Sequence, residues 1–115
     1  MDNALIDPLA AAYENDIGLA QRALRRGDPA QAFHHLERAH IVGQRHTLRH
    51  TYSHWLMLRA GLQSRDAREV LGQLPRMVAS LLFSRLWVPR GNSGRARVPA
   101  LKPMPIPADL RNLGL

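Results

Sequence analysis

The sequence predicts an all-α fold: four helices as two antiparallel, tetratricopeptide-like hairpins, with an extended proline-rich C-terminal tail packed on them. Three observations carry this. Apolar residues recur at helical spacing through the first 88 positions. Asp-Pro pairs at Asp7-Pro8 and Asp28-Pro29, with Gly27 between them, punctuate that stretch as helix ends and starts do. From Val88 onward, prolines are too frequent for long helix. At 115 residues the chain has room for one small core. Residues 1–88 form the helical part, and residues 89–115 form a tail belonging to the same domain.

The first helix is predicted over residues 4–26. Pro8 suits its first turn, Leu9, Ala12, Ile17, Leu19, Ala20, Ala23 and Leu24 give it an apolar side, and Arg25 and Arg26 complement the dipole at its end. Asp28 caps a second helix that runs to about Val42. Small Ala32 and Ala39, with Leu36 between them, let it approach the first closely, as in a tetratricopeptide hairpin. A third helix is expected from Thr47 to Leu62, a turn at Gln63–Ser64, and a fourth helix from Asp66 to Arg85. The second hairpin is a poorer copy, because Val70, Leu74 and Met77 replace its small positions. Pro75 predicts a kink or break near Gly72. In the tail, Val98, Leu101, Met104, Ile106 and Leu110 alternate with prolines, so it should lie along the helices rather than float.

Composition narrows the chemistry. The absence of cysteine excludes disulfides, thiol catalysis and sulfur-ligated metals. Asp2, Asp7, Glu14 and Asp16 interrupt any secretory signal, and the apolar run from Met77 to Val88 is too short to span a bilayer. A cytoplasmic protein without membrane attachment is the expectation. The net charge is +7, but the sixteen basic residues, all arginine except Lys102, are scattered and lack interleaved stacking aromatics. That pattern argues against nucleic acid.

All six histidines fall within residues 30–58: His34, His35, His40, His46, His50 and His54. Glu37 and His40 form a Glu-x-x-His pair, and His50 and His54 stand one helical turn apart. Three polar stripes result: Glu37, His40 and Gln44 on the second helix, His50 and His54 on the third, and Glu69, Gln73 and Arg76 on the fourth. Histidines at i and i+4 can share one metal ion, and Glu-x-x-His facing ligands from another helix is how carboxylate-bridged bundles build metal sites. A full di-metal site wants more glutamates than the chain supplies. A mononuclear site is therefore expected, with His40, His50, His54 and Glu37 as ligands and Glu69 as a further ligand or an orienting group. Nitrogen and oxygen donors leave Fe, Zn, Ni and Cu open. No nucleotide-cofactor fingerprint occurs. Trp55 and Met57 are expected in the core.

The strings HLERAHIVGQ, HTYSHWLML, REVLGQL, VPRGNSG and LKPMPIPADL, spread from Tyr13 to Leu110, resemble a family of small bacterial proteins catalogued as a domain of unknown function, number 3703. The resemblance implies a bacterial, all-helical protein and supplies no activity. By position it singles out His35, Glu37, His40, Gln44, His50, His54, Glu69 and Gln73, and leaves His34 and His46 as incidental. His35, Gln44 and Gln73 then stand as a polar network around the ligands. The family's glycine-asparagine-threonine-glycine-glycine turn reads Gly91-Asn92-Ser93-Gly94-Arg95 here.

Transition-metal binding is thus the leading expectation. The alternative is a tetratricopeptide-like adaptor for a protein partner, in which the polar cluster serves structure alone. Catalysis ranks last, since no nucleophile context or phosphate loop accompanies the cluster. A homodimer would suit so small a core.

Overall fold

The computed structural model describes residues 7–115, and it is all-helical. Four α-helices, α1 (Pro8–Arg25), α2 (Pro29–Gly43), α3 (Thr47–Gln63) and α4 (Ala67–Phe83), precede a 3-10 helix at Ala108–Leu113. No strand occurs among the described residues. Helices α1 and α2 pack as one pair, α3 and α4 as another, and α2 against α3 joins them. Residues 4–6, expected in the first helix, lie outside the described residues.

Each helix starts where a side chain can accept from a free backbone N–H. Asp7 accepts from Ala10 N (3.1 Å), Asp28 from Gln31 N (3.2 Å) and Asp66 from Glu69 N (3.2 Å). His46, which the sequence leaves without a role, caps α3 through Nδ1 and Arg49 N (3.3 Å). The two hairpin turns share one backbone design. Asp28 N donates to Ala23 O and Asp66 N to Gly61 O, both at 2.9 Å, closing the same six-to-one helix ending. The left-handed residue inside it is Gly27 (φ 76°) in the first turn and Arg65 (φ 56°) in the second. Arginine carries a Cβ penalty there that glycine avoids. Arg65→Gly should therefore raise stability by about 0.5–1 kcal/mol in urea unfolding.

The core is aliphatic and closely approached. Ala20, Ala23, Ala32, Leu36, Ala39, Leu56, Met57 and Ala60 are fully excluded from solvent. The alanines let the helix backbones come together, as the hairpin pattern requires. Trp55, expected inside, is 43% exposed.

Helix α4 departs most from expectation. Its buried residues are Glu69, Gln73 and Ser80, while Leu71, Leu74, Val78, Leu81, Leu82 and Phe83 face solvent. The apolar stripe expected to pack inward thus points outward, because the inward side serves a buried polar network. Of the kink or break expected near Gly72, the break is absent: α4 is continuous through Pro75. Pro75 lies on the exposed side, and Leu71, whose carbonyl loses the proline's missing donor, is exposed too, so water can take the place of the lost bond. The helix ends at Phe83, two residues earlier than predicted.

After α4 the chain turns back over the helices. Met104 N donates to Arg90 O (3.0 Å), and Leu110 is buried in the same apolar cluster as Tyr13, Ile17 and Leu36. Asp109 pairs with Arg38 at 2.6 Å. The segment is not extended throughout, since it closes in the 3-10 helix. Among the described residues, no helix is long and apolar enough to cross a membrane.

Candidate metal centre

Three histidines meet where α2, α3 and the segment after α4 converge. His40 comes from the last turn of α2, and His50 and His54 come from successive turns of α3. Ring centroids lie 4.7 Å apart for His40–His50, 4.7 Å for His40–His54 and 5.0 Å for His50–His54. All three are buried, and one ligand nitrogen from each lies within 4.8 Å of the others. Nε2 of His40 stands 3.0 Å from Nε2 of His50.

The outer nitrogens fix the tautomers. His40 Nδ1 is 2.8 Å from the Asn92 carbonyl, which can only accept, so Nδ1 carries the hydrogen. His50 Nδ1 is 2.8 Å from Ser84 Oγ. The Ser84 hydroxyl spends its own hydrogen on the Ser80 carbonyl, so it accepts from His50. His54 Nδ1 donates to Gln73 Oε1 at 2.6 Å. The Gln73 amide is oriented from its other end, where Nε2 donates to Glu69 Oε2 (2.7 Å) and Gly94 O (2.9 Å). All three imidazoles therefore bear hydrogen at Nδ1 and a bare lone pair at Nε2. The 3.0 Å approach of His40 and His50 brings two lone pairs together with no proton between them.

A proton would relieve that repulsion, but burial opposes it. Burial pushes His50 down to about 4 and His54 down to about 3, the latter helped by neighbouring His50. His40 is pushed well below the ordinary histidine range, first by burial and then by the two other imidazoles. The triad is neutral at pH 7, with one ligand nitrogen of each ring gathered within 4.8 Å of the others.

The surrounding residues hold this arrangement from the far end of the chain. Glu69, fully buried, accepts from Gln73, from Arg95 Nε (2.8 Å) and from Ala96 N (2.9 Å). The Asn92 side chain donates to Pro99 O (2.9 Å) and Lys102 O (2.8 Å) and accepts from Gly94 N (2.8 Å). Gly94 (φ 82°) lies flat against His40, where a Cβ would come within 2.7 Å of the ring. The Gly91–Gly94 turn is thus the cradle of His40. Its fifth position needs no glycine, because Arg95 is not among the residues at positive φ, and its guanidinium instead ties Glu69 to the turn.

Glu37 lies away from the triad and pairs with Arg95 at 3.1 Å, so Arg95 bridges Glu37 and Glu69. Glu69 reaches the triad indirectly, at His54 through Gln73 and at His40 through the turn that Arg95 ties to it. His35 belongs to a separate network, 2.9 Å from buried Asp16, which also receives Arg38. Gln44 is buried beside the triad and donates to Pro89 O at 2.9 Å. Sequence reasoning missed Ser84, Asn92, Gly94 and Arg95 as partners of the histidines and of Glu69. The VPRGNSG string contained two of them, whereas Ser84 has no local signature.

Beside the triad opens a cavity of about 450 Å³, walled by Ala79, Phe83, Leu86, Trp87 and Leu101. Residues 7–113 match a family described as "Protein of unknown function (DUF3703)". The chain belongs to that family. No curated protein and no solved structure matches it. In this DUF3703 member the buried histidines and the turn that cradles them all fall within the matched span.

Acid should destabilise the metal-free fold. The unfolded chain takes up protons on these histidines near pH 6.5, while the folded chain resists until about 4 and about 3 at His50 and His54. The unfolded state binds more protons in that window, so stability falls as pH drops below 6.5 and levels off below the folded values. Each histidine should add a slope of about 1.4 kcal/mol per pH unit inside its window. Urea unfolding of metal-free protein from pH 7.5 to 4.5 measures it, and His54→Gln should remove one proton's worth.

Proposed function

We propose that this protein binds one divalent transition-metal ion through Nε2 of His40, His50 and His54. The observation that carries the reading is the set of three buried imidazoles whose ligand nitrogens lie within 4.8 Å of one another while every Nδ1 is committed as a donor. Metal-bound imidazoles characteristically donate their second nitrogen to a carbonyl, carboxylate or amide partner, and that partner fixes the tautomer. The 3.0 Å separation of two Nε2 atoms is close to the roughly 3.3 Å that two nitrogens bound to one tetrahedral ion would show. Glu69 acts as an orienting group through Gln73, and Glu37 sits outside the ligand set. Three neutral nitrogens suit Fe, Zn, Ni or Cu, and leave at least one coordination position open toward the cavity.

Untagged protein should carry near-stoichiometric metal by elemental mass spectrometry. Its melting temperature should fall by several degrees with chelator, since an ion at about 100 times its Kd adds about 2.7 kcal/mol. His40→Ala should abolish both effects. Absence of metal, with no shift on adding Zn, Ni, Cu or Fe, overturns the reading.

A second reading, protein interaction, draws support from the outward face of α4. Leu71, Leu74, Val78 and Leu81 follow the three-four-three spacing of a helix-pairing seam and are all exposed. Such a seam is self-complementary about a twofold axis, so a second copy of this chain is the occupant it fits. Light scattering should then give a dimer that Leu74→Glu with Leu81→Glu converts to monomer. A wild-type monomer at tens of micromolar would exclude it.

A further inference from the structure

The cavity beside the histidines has a charge problem that its own residues do not solve. Three neutral imidazoles bring no negative charge to a divalent ion. Among the described residues no acidic side chain lines the cavity, and Glu69, the buried carboxylate behind Gln73, is already paired with Arg95. The cavity lining adds a further cation, Arg76. Its Nη1 donates to Gly72 O (2.9 Å) and its Nη2 to Val98 O (3.0 Å), and among the described residues it forms no ion pair. These two bonds leave guanidinium hydrogens unspent. A metal ion held by the triad and the half-buried guanidinium of Arg76 would line the same cavity, and together they call for an anion, because charge withdrawn from water without a partner is costly.

The remaining walls say what that anion is attached to. Ala79, Phe83, Leu86, Trp87 and Leu101 offer hydrocarbon and one indole. The polar groups nearby are already engaged: Asn92 with Pro99, Lys102 and Gly94, and Ser84 with Ser80 and His50. A strongly hydrated or many-hydroxyl ligand would find few partners.

We infer that this cavity takes a small organic monocarboxylate, carried on a short hydrocarbon chain or a single aromatic ring. One carboxylate oxygen completes the metal's coordination, Arg76 pairs with the carboxylate, and the apolar body lies against Phe83, Trp87 and Leu101. This rests on the metal-binding reading above.

The test uses the untagged full chain loaded with Co(II), whose visible spectrum reports ligand exchange. Cobalt content is read first by elemental mass spectrometry, and the protein is then titrated with benzoate, acetate and benzamide. Benzoate should shift the spectrum saturably and bind at least about tenfold tighter than either acetate or benzamide. Arg76→Ala should weaken benzoate about tenfold with cobalt content unchanged. Ala79→Phe, at an exposed position of α4 that lines the cavity, should weaken benzoate and spare acetate. Equal binding of benzoate and benzamide overturns the inference, as does acetate binding as tightly as benzoate, which would mark a small-anion site only. Indifference to both substitutions overturns it too. Failure to take up cobalt overturns the metal reading and this inference together, whereas full cobalt loading without carboxylate preference overturns this inference alone.

Discussion

Glu69→Ala should cost about 3–5 kcal/mol of folding stability, the usual consequence of removing one partner from a buried charged pair. Glu69 is fully excluded from solvent and accepts from three donors, Gln73 Nε2, Arg95 Nε and Ala96 N. The substitution leaves the Arg95 guanidinium without its closest carboxylate and the Gln73 amide with Gly94 O alone of the two acceptors that orient it. A domain of this size has about 5–15 kcal/mol in total, so the loss should be visible as a large fall in the urea midpoint. Glu69→Gln keeps the volume and one acceptor, and should cost less, about 1.5–3 kcal/mol. The substitutions should also weaken metal uptake, because His54 loses a fixed partner at Nδ1. A loss below about 1 kcal/mol for Glu69→Ala would mean that the network is not a structural keystone.

Gly94→Ala should damage the proposed metal centre more than its size suggests. Two costs add. Alanine at φ 82° is strained by about 1 kcal/mol, and its Cβ would stand 2.7 Å from the His40 ring, closer than real contacts allow. The ring must move, and with it the Nδ1 bond to Asn92 O and the position of Nε2. Ligand geometry tolerates only about 0.5 Å of error, so metal affinity should fall more than tenfold, and stability by about 2–3 kcal/mol. Gly27→Ala is the matched control, with φ 76° and nothing within 4 Å of the added Cβ. It should cost only the backbone strain, about 1 kcal/mol, and leave metal binding intact. Equal metal affinity in the two variants would contradict the role given to Gly94.

Helix boundaries were legible because their causes are local. An aspartate before a helix, a proline at its first position and a glycine after its end act within one turn, and Asp28 caps as expected, whereas Asp7 and Asp66, expected inside their helices, prove to be caps as well. The histidine pair of α3 was legible for the same reason, since i and i+4 share a face. The orientation of α4 was not. Periodicity shows that a helix has two unlike faces, and the usual inference buries the apolar one. Glu69, Gln73 and Ser80 reverse that because each finds partners inside, on α3 or on the segment after α4, at positions 19 or more residues away. Glu37 illustrates the converse. Its spacing from His40 fits a ligand, yet Arg95, distant in sequence, takes it away from the triad. The groups that hold His40 are a backbone carbonyl and a glycine without a side chain, and neither leaves a pattern that spacing alone can find.

The bond between His40 and the Asn92 carbonyl spans 52 positions, and the Asn92 side chain is itself held by carbonyls of Pro99 and Lys102. A chain emerging from the ribosome presents all three imidazoles well before those acceptors exist. Until then nothing fixes which nitrogen of His40 faces inward, and the nascent helices have histidines but no defined cage. Closure of the last segments is therefore the step that gives the histidine-rich hairpin pair a defined cage, and on the proposed metal-binding reading capture of the ion would be a late event in the life of each newly made chain.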